Sequence, residues 1–347
     1  MELVKIQKAF LEGKKVLLRA DFNVAVKDGK VKEAFKIKAC KETVDYLLKN
    51  NCKVAVCSHF GRPKGQKNLE FSLEQIRDDI EMNIGHKVNF VDDCIGEKVK
   101  VKMDNLSVGE VLLLENVRFY EGEEKNDQYF SEKLVNGFDI FINDAFSVCH
   151  RDQSSVTGVA KIIPSYAGFW LQKEIEEMDK VRHNTETPAI AIIGGAKIET
   201  KLPVIKFFEE KYDNILIGGK IANEAIDQKI DFSKKVILPS DFIDDRLDIG
   251  SDSVEKYKEI IKSAKIIVWN GPMGKFEDEK YYNASKEIAD AVFSSDAYSV
   301  VGGGETIVIL EKENGMEKVD FVSTGGGAML EYLSGNNLPG IEVLKSI

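Results

Sequence analysis

The stretch Ser58–Gly65, SHFGRPKG, sets His59, Arg62 and Lys64 around two glycines and a proline, directly after the apolar run KVAVC. So compact a group of cationic and titratable side chains can move a proton, hold an anion or simply face water. Three other apolar runs end in similar chemistry: Arg19, Asp21 and Asn23 in LLRADFNV; Glu115, Asn116 and Arg118 in LLLENVRF; Asn143, Asp144, His150 and Arg151 in INDAFSVCHR. Guanidinium forks donate paired, charge-assisted hydrogen bonds to phosphate and carboxylate. If these ends meet on one face, they make an anion site.

A second set of runs ends in glycine turns: Gly194 and Gly195 before Lys197, then Gly218 and Gly219, Gly271 and Gly274, Gly302 to Gly304, and Gly325 to Gly327. Glycine lets a backbone approach a phosphate, and the N–H groups opening the next helix supply positive potential. A single pair reads as a tight turn; recurrence along one sheet edge points to a nucleotide. Neither familiar phosphate motif is present: no complete G-x-G-x-x-G opens a helix after a strand, and GPMGKF departs from G-x-x-x-x-G-K-[ST] in spacing and last residue. The five cysteines are odd in number and form no C-x-x-C pair, which fits reduced, buried thiols. Cys149, beside His150, is the one that invites a nucleophile reading.

The elements that must carry these groups follow from the spacing of the apolar runs. KVLLRADFNV, KVAVCSH, KVNFVDD, EVLLLENVRF and DIFINDAF have strand length with helical patterns between them, and AIAIIGGAK, NILIGGK, KIIVWNGPMG, YSVVGGGE and VDFVSTGGG repeat the alternation. Between the two sets, GFWLQKEIEEMDKVRHN spaces Leu171, Ile175, Met178 and Val181 at helical intervals. The expected fold is therefore α/β: two Rossmann-like domains with parallel sheets, joined by a long helix and hinge, with a cleft between them. The expected boundaries are 1–167, an interdomain helix at 168–184, 185–329, and a tail at 330–347.

The 347 residues suit two cores, and the formal net charge of −10 argues against nucleic acid as a partner, so an anionic small substrate needs a local basic pocket. The N-terminal residues lack the apolar core of a signal peptide, and no run reaches the length of a membrane span. A cytoplasmic monomer without membrane or nucleic-acid partners is expected.

Read in order, RADFNV, SHFGRPKG, LLENVRF, INDAF with HR, GGAKIETK, IGGK, LDIG, WNGPMGKFE, GGGET and STGGGAMLEYLSGNNLPG resemble the phosphoglycerate kinase family from about Lys15 to Leu344. The resemblance implies reversible phosphoryl transfer between 1,3-bisphosphoglycerate and ADP, giving 3-phosphoglycerate and ATP, with Mg2+ accompanying the nucleotide. It implies that the first domain binds the acid through Asp21, Asn23, Lys36, His59, Arg62, Arg118 and Arg151. It implies that the second domain binds the nucleotide through Gly194, Gly195, Lys197, Lys201, Gly218, Gly219, Asn270, Glu277, Gly303, Gly304, Glu305 and Thr306, with Glu305 at the metal. Lys36, Lys197, Lys201 and Gly326 are the implied catalytic positions, and the tail is implied to pack back on the first domain.

An acyl phosphate has a good leaving group, so such a transfer needs alignment and charge neutralisation rather than a general base. This chain departs from the family pattern at several of those positions. Lys36 stands where an arginine is usual, Thr200 and Glu305 where aspartates are usual, Lys220 where a third glycine is usual, and Gln153 where a second histidine is usual. Lysine keeps the charge of arginine but loses its planar fork. Two alternatives follow: a catalytically impaired relative that binds nucleotide or acid as a sensor or partner protein, and a cysteine-dependent enzyme using Cys149.

Overall fold

A computed structural model describes residues 2–27 and 29–346. The chain divides into two units, Met1–Ile175 with Asn337–Ile347, and Glu176–Asn336.

In the first unit, strands β1 (Lys15–Arg19), β2 (Lys53–Cys57), β3 (Val88–Val91), β4 (Val111–Leu114), β5 (Ile140–Asn143) and β6 (Ser165–Ala167) form one sheet in the order β3-β4-β2-β1-β5-β6, all parallel. Val16 to Leu18 and Val111 to Leu114 are buried on both faces, because helices cover both sides of a parallel sheet; unbroken apolar runs are the consequence. The register matters for function. Arg19 pairs with Cys57 on one side and with Asn143 on the other, so the loops after β1, β2 and β5 leave the sheet level with one another. The strand order reverses between β1 and β5, the place where an open α/β sheet leaves a crevice for ligands.

The second unit repeats the plan. Strands β7 (Ala189–Ile193), β8 (Asn214–Ile217), β9 (Val236–Ile237), β10 (Ile266–Asn270), β11 (Tyr298–Gly302) and β12 (Phe321–Ser323) are parallel in the order β9-β8-β7-β10-β11-β12. The reversal here falls between β7 and β10, whose ends carry Gly194–Gly195 and Asn270–Gly271.

The helix expected at 168–184 is Phe169–Arg182, and the boundary between units falls inside it. Leu171, Met178 and Val181 are fully buried. Its first turn is held from within the first unit: Phe169 N donates to Thr43 Oγ1 at 2.9 Å and Leu171 N to Asp144 Oδ1 at 3.1 Å. The C-terminal tail joins the first unit from Asn337 rather than Leu330, since Gly326–Leu333 is a helix of the second unit.

Candidate active site

The loops after β1, β2, β4 and β5 interlock in the first unit. Asp21 accepts from Ser147 Oγ at 2.6 Å and from Asn23 N at 3.0 Å, and its Oδ2 lies 3.0 Å from Lys36 Nζ. Burial pushes the Asp21 carboxyl up, but Lys36, His59 and these hydrogen bonds together hold it well below the ordinary carboxylate range. It is an ionised anchor for Lys36, not a proton acceptor. Asn23 Oδ1 accepts from Gly61 N at 2.9 Å, which ties the β1 loop to the SHFGRPKG turn. Gly61 adopts φ +61°, and a Cβ there would fall 2.3 Å from the Phe71 ring, so glycine is required twice over.

Gly61 O in turn accepts from Arg118 Nη1 at 2.9 Å. Arg118 is 3% exposed, yet its Nε and Nη2 have no hydrogen-bond partner, and the nearest carboxylate oxygen, Glu124 Oε1, is 3.6 Å from Nε. Burial, then the charges of Arg151 and Arg19, bring its pKa down to about 10. Arg151 is likewise lowered by burial and by Arg62. A buried guanidinium with open donors, beside other cations that it repels, is suited to completion by an anion. Asp21, Asn23, Lys36, His59, Arg62, Arg118 and Arg151 are thus gathered at one end of the sheet.

Burial decides the chemical state of two side chains in the first unit. His59 does not titrate near neutrality: burial, with the charges of Arg19, Arg118 and Lys36, outweighs Asp21 and keeps the ring neutral. Cys149 is no nucleophile. It is fully buried, accepts from Asn143 Nδ2 at 3.5 Å, and burial pushes its thiol up to about 12. Sequence reasoning also passed over Glu123 and Ser155, both fully buried behind Arg19, because nothing in their local spacing marks them.

In the second unit, a cavity of about 560 Å³ is lined by Lys197, Thr200, Lys201, Asn270, Glu305 and Gly326 among others, and by Gly195, Gly303, Gly304 and Thr306. The helices Gly304–Lys312 and Gly326–Leu333 begin at its wall, capped by Gly303 and Gly325 with no side-chain hydrogen bond, so their first N–H groups face it unsatisfied by a cap. Lys201 Nζ donates to Asn270 Oδ1, and Asn270 Nδ2 donates to Gly302 O at 2.8 Å. Thr306 Oγ1 accepts from Gly271 N at 2.8 Å, which fixes the β10 and β11 ends together. Burial lowers Lys201 to about 8 against the pull of Glu305, while burial and then Glu277 raise the Glu305 carboxyl.

A second cavity of about 380 Å³, lined by Glu277, Lys220, Asn223 and Phe276, shares Gly195, Ala196 and Glu305 with the first. Adjoining through those shared residues, the two together are large enough for a nucleotide. Gly194, Gly218 and Gly219 are also required by packing. A Cβ on Gly194 would lie 1.9 Å from Pro272 O, one on Gly218 would lie 3.0 Å from Met273 Cα, and Gly219, at φ +65°, donates its N–H to Met273 O at 2.6 Å. They let the β7 and β8 ends pack on the loop after β10. Gly304, by contrast, has nothing within 4 Å of its missing Cβ and faces open space.

Among the described residues there is no cluster of three or more His, Cys, Asp or Glu able to hold a metal ion. Glu305 and Glu331 both line the larger cavity, and a carboxylate there fits a hard cation whose other ligands are phosphate oxygens and water.

The family model for phosphoglycerate kinase matches residues 6–244 and 225–336. The phosphoglycerate kinase of Borrelia hermsii is 37% identical over 391 aligned positions, covering 99% of this chain and 100% of the relative, and that of Finegoldia magna is 39% identical over 382, covering 96% and 97%. Both alignments are longer than the 347 residues here, so this chain lacks segments that those relatives have. Among solved structures, phosphoglycerate kinase from Pyrococcus horikoshii OT3 superposes with a TM-score of 0.89 at 30% identity, covering 99% of this chain and 98% of the other. That from Coxiella burnetii gives 0.80 at 30% identity, covering 99% of each. With collinear motifs, two matching sheets and whole-length similarity, the chain belongs to the phosphoglycerate kinase family.

Proposed function

We propose that the first unit holds 3-phosphoglycerate or 1,3-bisphosphoglycerate at Asp21, Asn23, Lys36, His59, Arg62, Arg118 and Arg151, and that the second holds ADP or ATP at the paired cavities. The reaction is the reversible phosphoryl transfer of the family, and the chain is a phosphotransferase by membership. The observation that carries the acid site is Arg118, buried with two donor nitrogens open. Its planar fork, with Arg62 and Arg151, binds phosphate; Lys36 adds a point charge.

At the nucleotide, Lys197 and Lys201 neutralise the transferring group, and the open N–H groups of Gly326 and Gly327 donate to its oxygens where charge builds in the transfer. Asn270 holds Lys201 in place, Thr306 braces the phosphate loop, and Glu277 accepts from the ribose. Glu305 would hold Mg2+, which when bound neutralises the nucleotide's phosphate oxygens. No side chain needs to act as a base. Buried thiols and acidic net charge support a cytoplasmic monomer.

The test is ATP formation from 1,3-bisphosphoglycerate and ADP with magnesium. The folded chain is expected to turn over, and a folded chain that binds both substrates without turnover would instead support the sensor reading. In the same assay Lys36→Arg is expected to lower KM for the acid about tenfold, the worth of one added charge-assisted hydrogen bond. An unchanged KM would mean that Lys36, fixed on Asp21, already serves the site fully.

A further inference from the structure

Behind His59 a chain of buried hydrogen bonds decides which ring nitrogen carries the proton. Arg19 ends β1 with its side chain fully buried: Nε donates to Ser155 Oγ at 3.0 Å, Nη1 donates to Ala20 O, and Nη2 lies 3.1 Å from His59 Nδ1. Ser155 is itself held by the fully buried Glu123, donating from Oγ to Oε1 at 2.6 Å and from N to Oε2 at 2.9 Å. A guanidinium offers donors only and keeps its proton in proteins. Nδ1 of His59 must therefore accept, and the ring proton sits on Nε2. The Asp21 carboxylate does not compete for Nδ1, because its Oδ1 is 3.9 Å away, beyond hydrogen-bond reach.

The charged groups around the ring are Arg19 at the end of β1, Asp21 in the loop after it, Lys36 on the short helix Phe35–Ala39, and Arg118 on the turn Val117–Phe119. Three cations against one carboxylate disfavour an imidazolium. His59 Nε2 makes no hydrogen bond among the described residues, so the proton fixed there is free to be donated.

We propose that Arg19, clamped by Ser155 and Glu123, is a positioning residue that keeps His59 neutral with its proton on Nε2, aimed at donating to the bound acid. The donation rests on the reading of the first unit as the acid site; the tautomer rests on the Arg19–His59 geometry alone. The device gives the site a donor whose state does not change across neutral pH, which a free histidine could not supply. It also explains the burial of Glu123, which neither touches the site's open face nor pairs with a lysine: it holds Ser155, and Ser155 holds the guanidinium in register.

Imidazole 15N NMR on the full chain tests this directly. The chain has four histidines, and His59→Gln assigns the signal. The wild-type ring is expected to show the Nε2–H tautomer, unchanged from about pH 5 to 8. Arg19→Lys, which also only donates to Nδ1, should keep that pattern. Arg19→Met should allow a proton on Nδ1, make the ring titrate, and weaken 3-phosphoglycerate binding about tenfold, in a pH-dependent way, through loss of one hydrogen bond to a charged group. An Nδ1–H tautomer, or a ring that protonates at neutral pH, in the wild type overturns the proposal even if Arg19→Met fails to fold. A wild type with the expected tautomer that does not bind 3-phosphoglycerate overturns the acid-site reading and with it the donation, while the Arg19–His59 tautomer stands.

Discussion

Lys201 is a site cation whose charge responds to pH. It sits beside the phosphate cavity, where burial lowers its pKa to about 8 even though Glu305 pulls the other way. A lowered lysine pKa means the ammonium is present below that value and lost as pH rises through it. ADP binding is therefore expected to be flat near neutrality and to weaken from about pH 8 upward, by about tenfold in Kd once the charge-assisted bond to phosphate is gone. Lys201→Arg should remove the slope, since guanidinium stays protonated. Calorimetric Kd values for ADP across this range are the check, and a wild-type profile that stays flat all the way from about pH 7 to about pH 10 would remove Lys201 from the phosphate site. At this scale the sequence was informative about which residues end each strand, because charge at a strand end is visible locally. It was uninformative about protonation: the SHFGRPKG turn leaves proton transfer and anion binding both open until Arg19, Lys36 and Arg118 are seen around His59, and Cys149 invites a nucleophile reading until its burial is seen.

At the scale of elements, recurring glycines after β7, β8, β10, β11 and β12 correctly mark one sheet edge, but the pattern alone cannot sort those that face a ligand from those that let backbones touch. The structure sorts them by what a methyl group would meet. Gly194→Ala would place Cβ 1.9 Å from Pro272 O and 2.7 Å from Gly271 O, both backbone atoms that cannot step aside. It is expected to cost about 1–3 kcal/mol of stability, as overpacking does. Gly304→Ala meets nothing within 4 Å, and its residue opens a helix, so stability should hold while the methyl group intrudes on the phosphate cavity and weakens ADP binding. Urea denaturation and ADP Kd measured on both variants separate the two roles. Equal loss of stability in both would mean the helix start at Gly304 is packed, not open.

For the molecule as a whole, two α/β units were legible because alternating strand and helix patterns occur in two sets, and the helix between them because its apolar spacing is regular. Which unit the C-terminal tail belongs to was not, since no local pattern records a contact between residues so far apart in the chain; only the family resemblance implied it. The structure shows the contact in detail. Leu338, Ile341 and Leu344 are 1%, 4% and 1% exposed, Leu344 O accepts from Val4 N at 2.8 Å, and Gly340 N donates to Cys149 O at 2.9 Å. A Cβ on Gly340 would lie 2.7 Å from Val156 and 2.9 Å from Cys149 Cα, so the tail presses on the same loop that presents His150 and Arg151. Three fully buried apolar side chains contribute roughly 5–9 kcal/mol, comparable with the whole stability of a domain. A chain ending at Asn336 is therefore expected to lose the folding transition of the first unit and 3-phosphoglycerate binding with it, while the second unit, whose cavities lie wholly within Glu176–Asn336, keeps its ADP affinity. Thermal denaturation read beside separate Kd values for the two ligands decides it: unchanged melting of the truncated chain would show the tail to be dispensable, and loss of ADP binding would show that the second unit depends on the first.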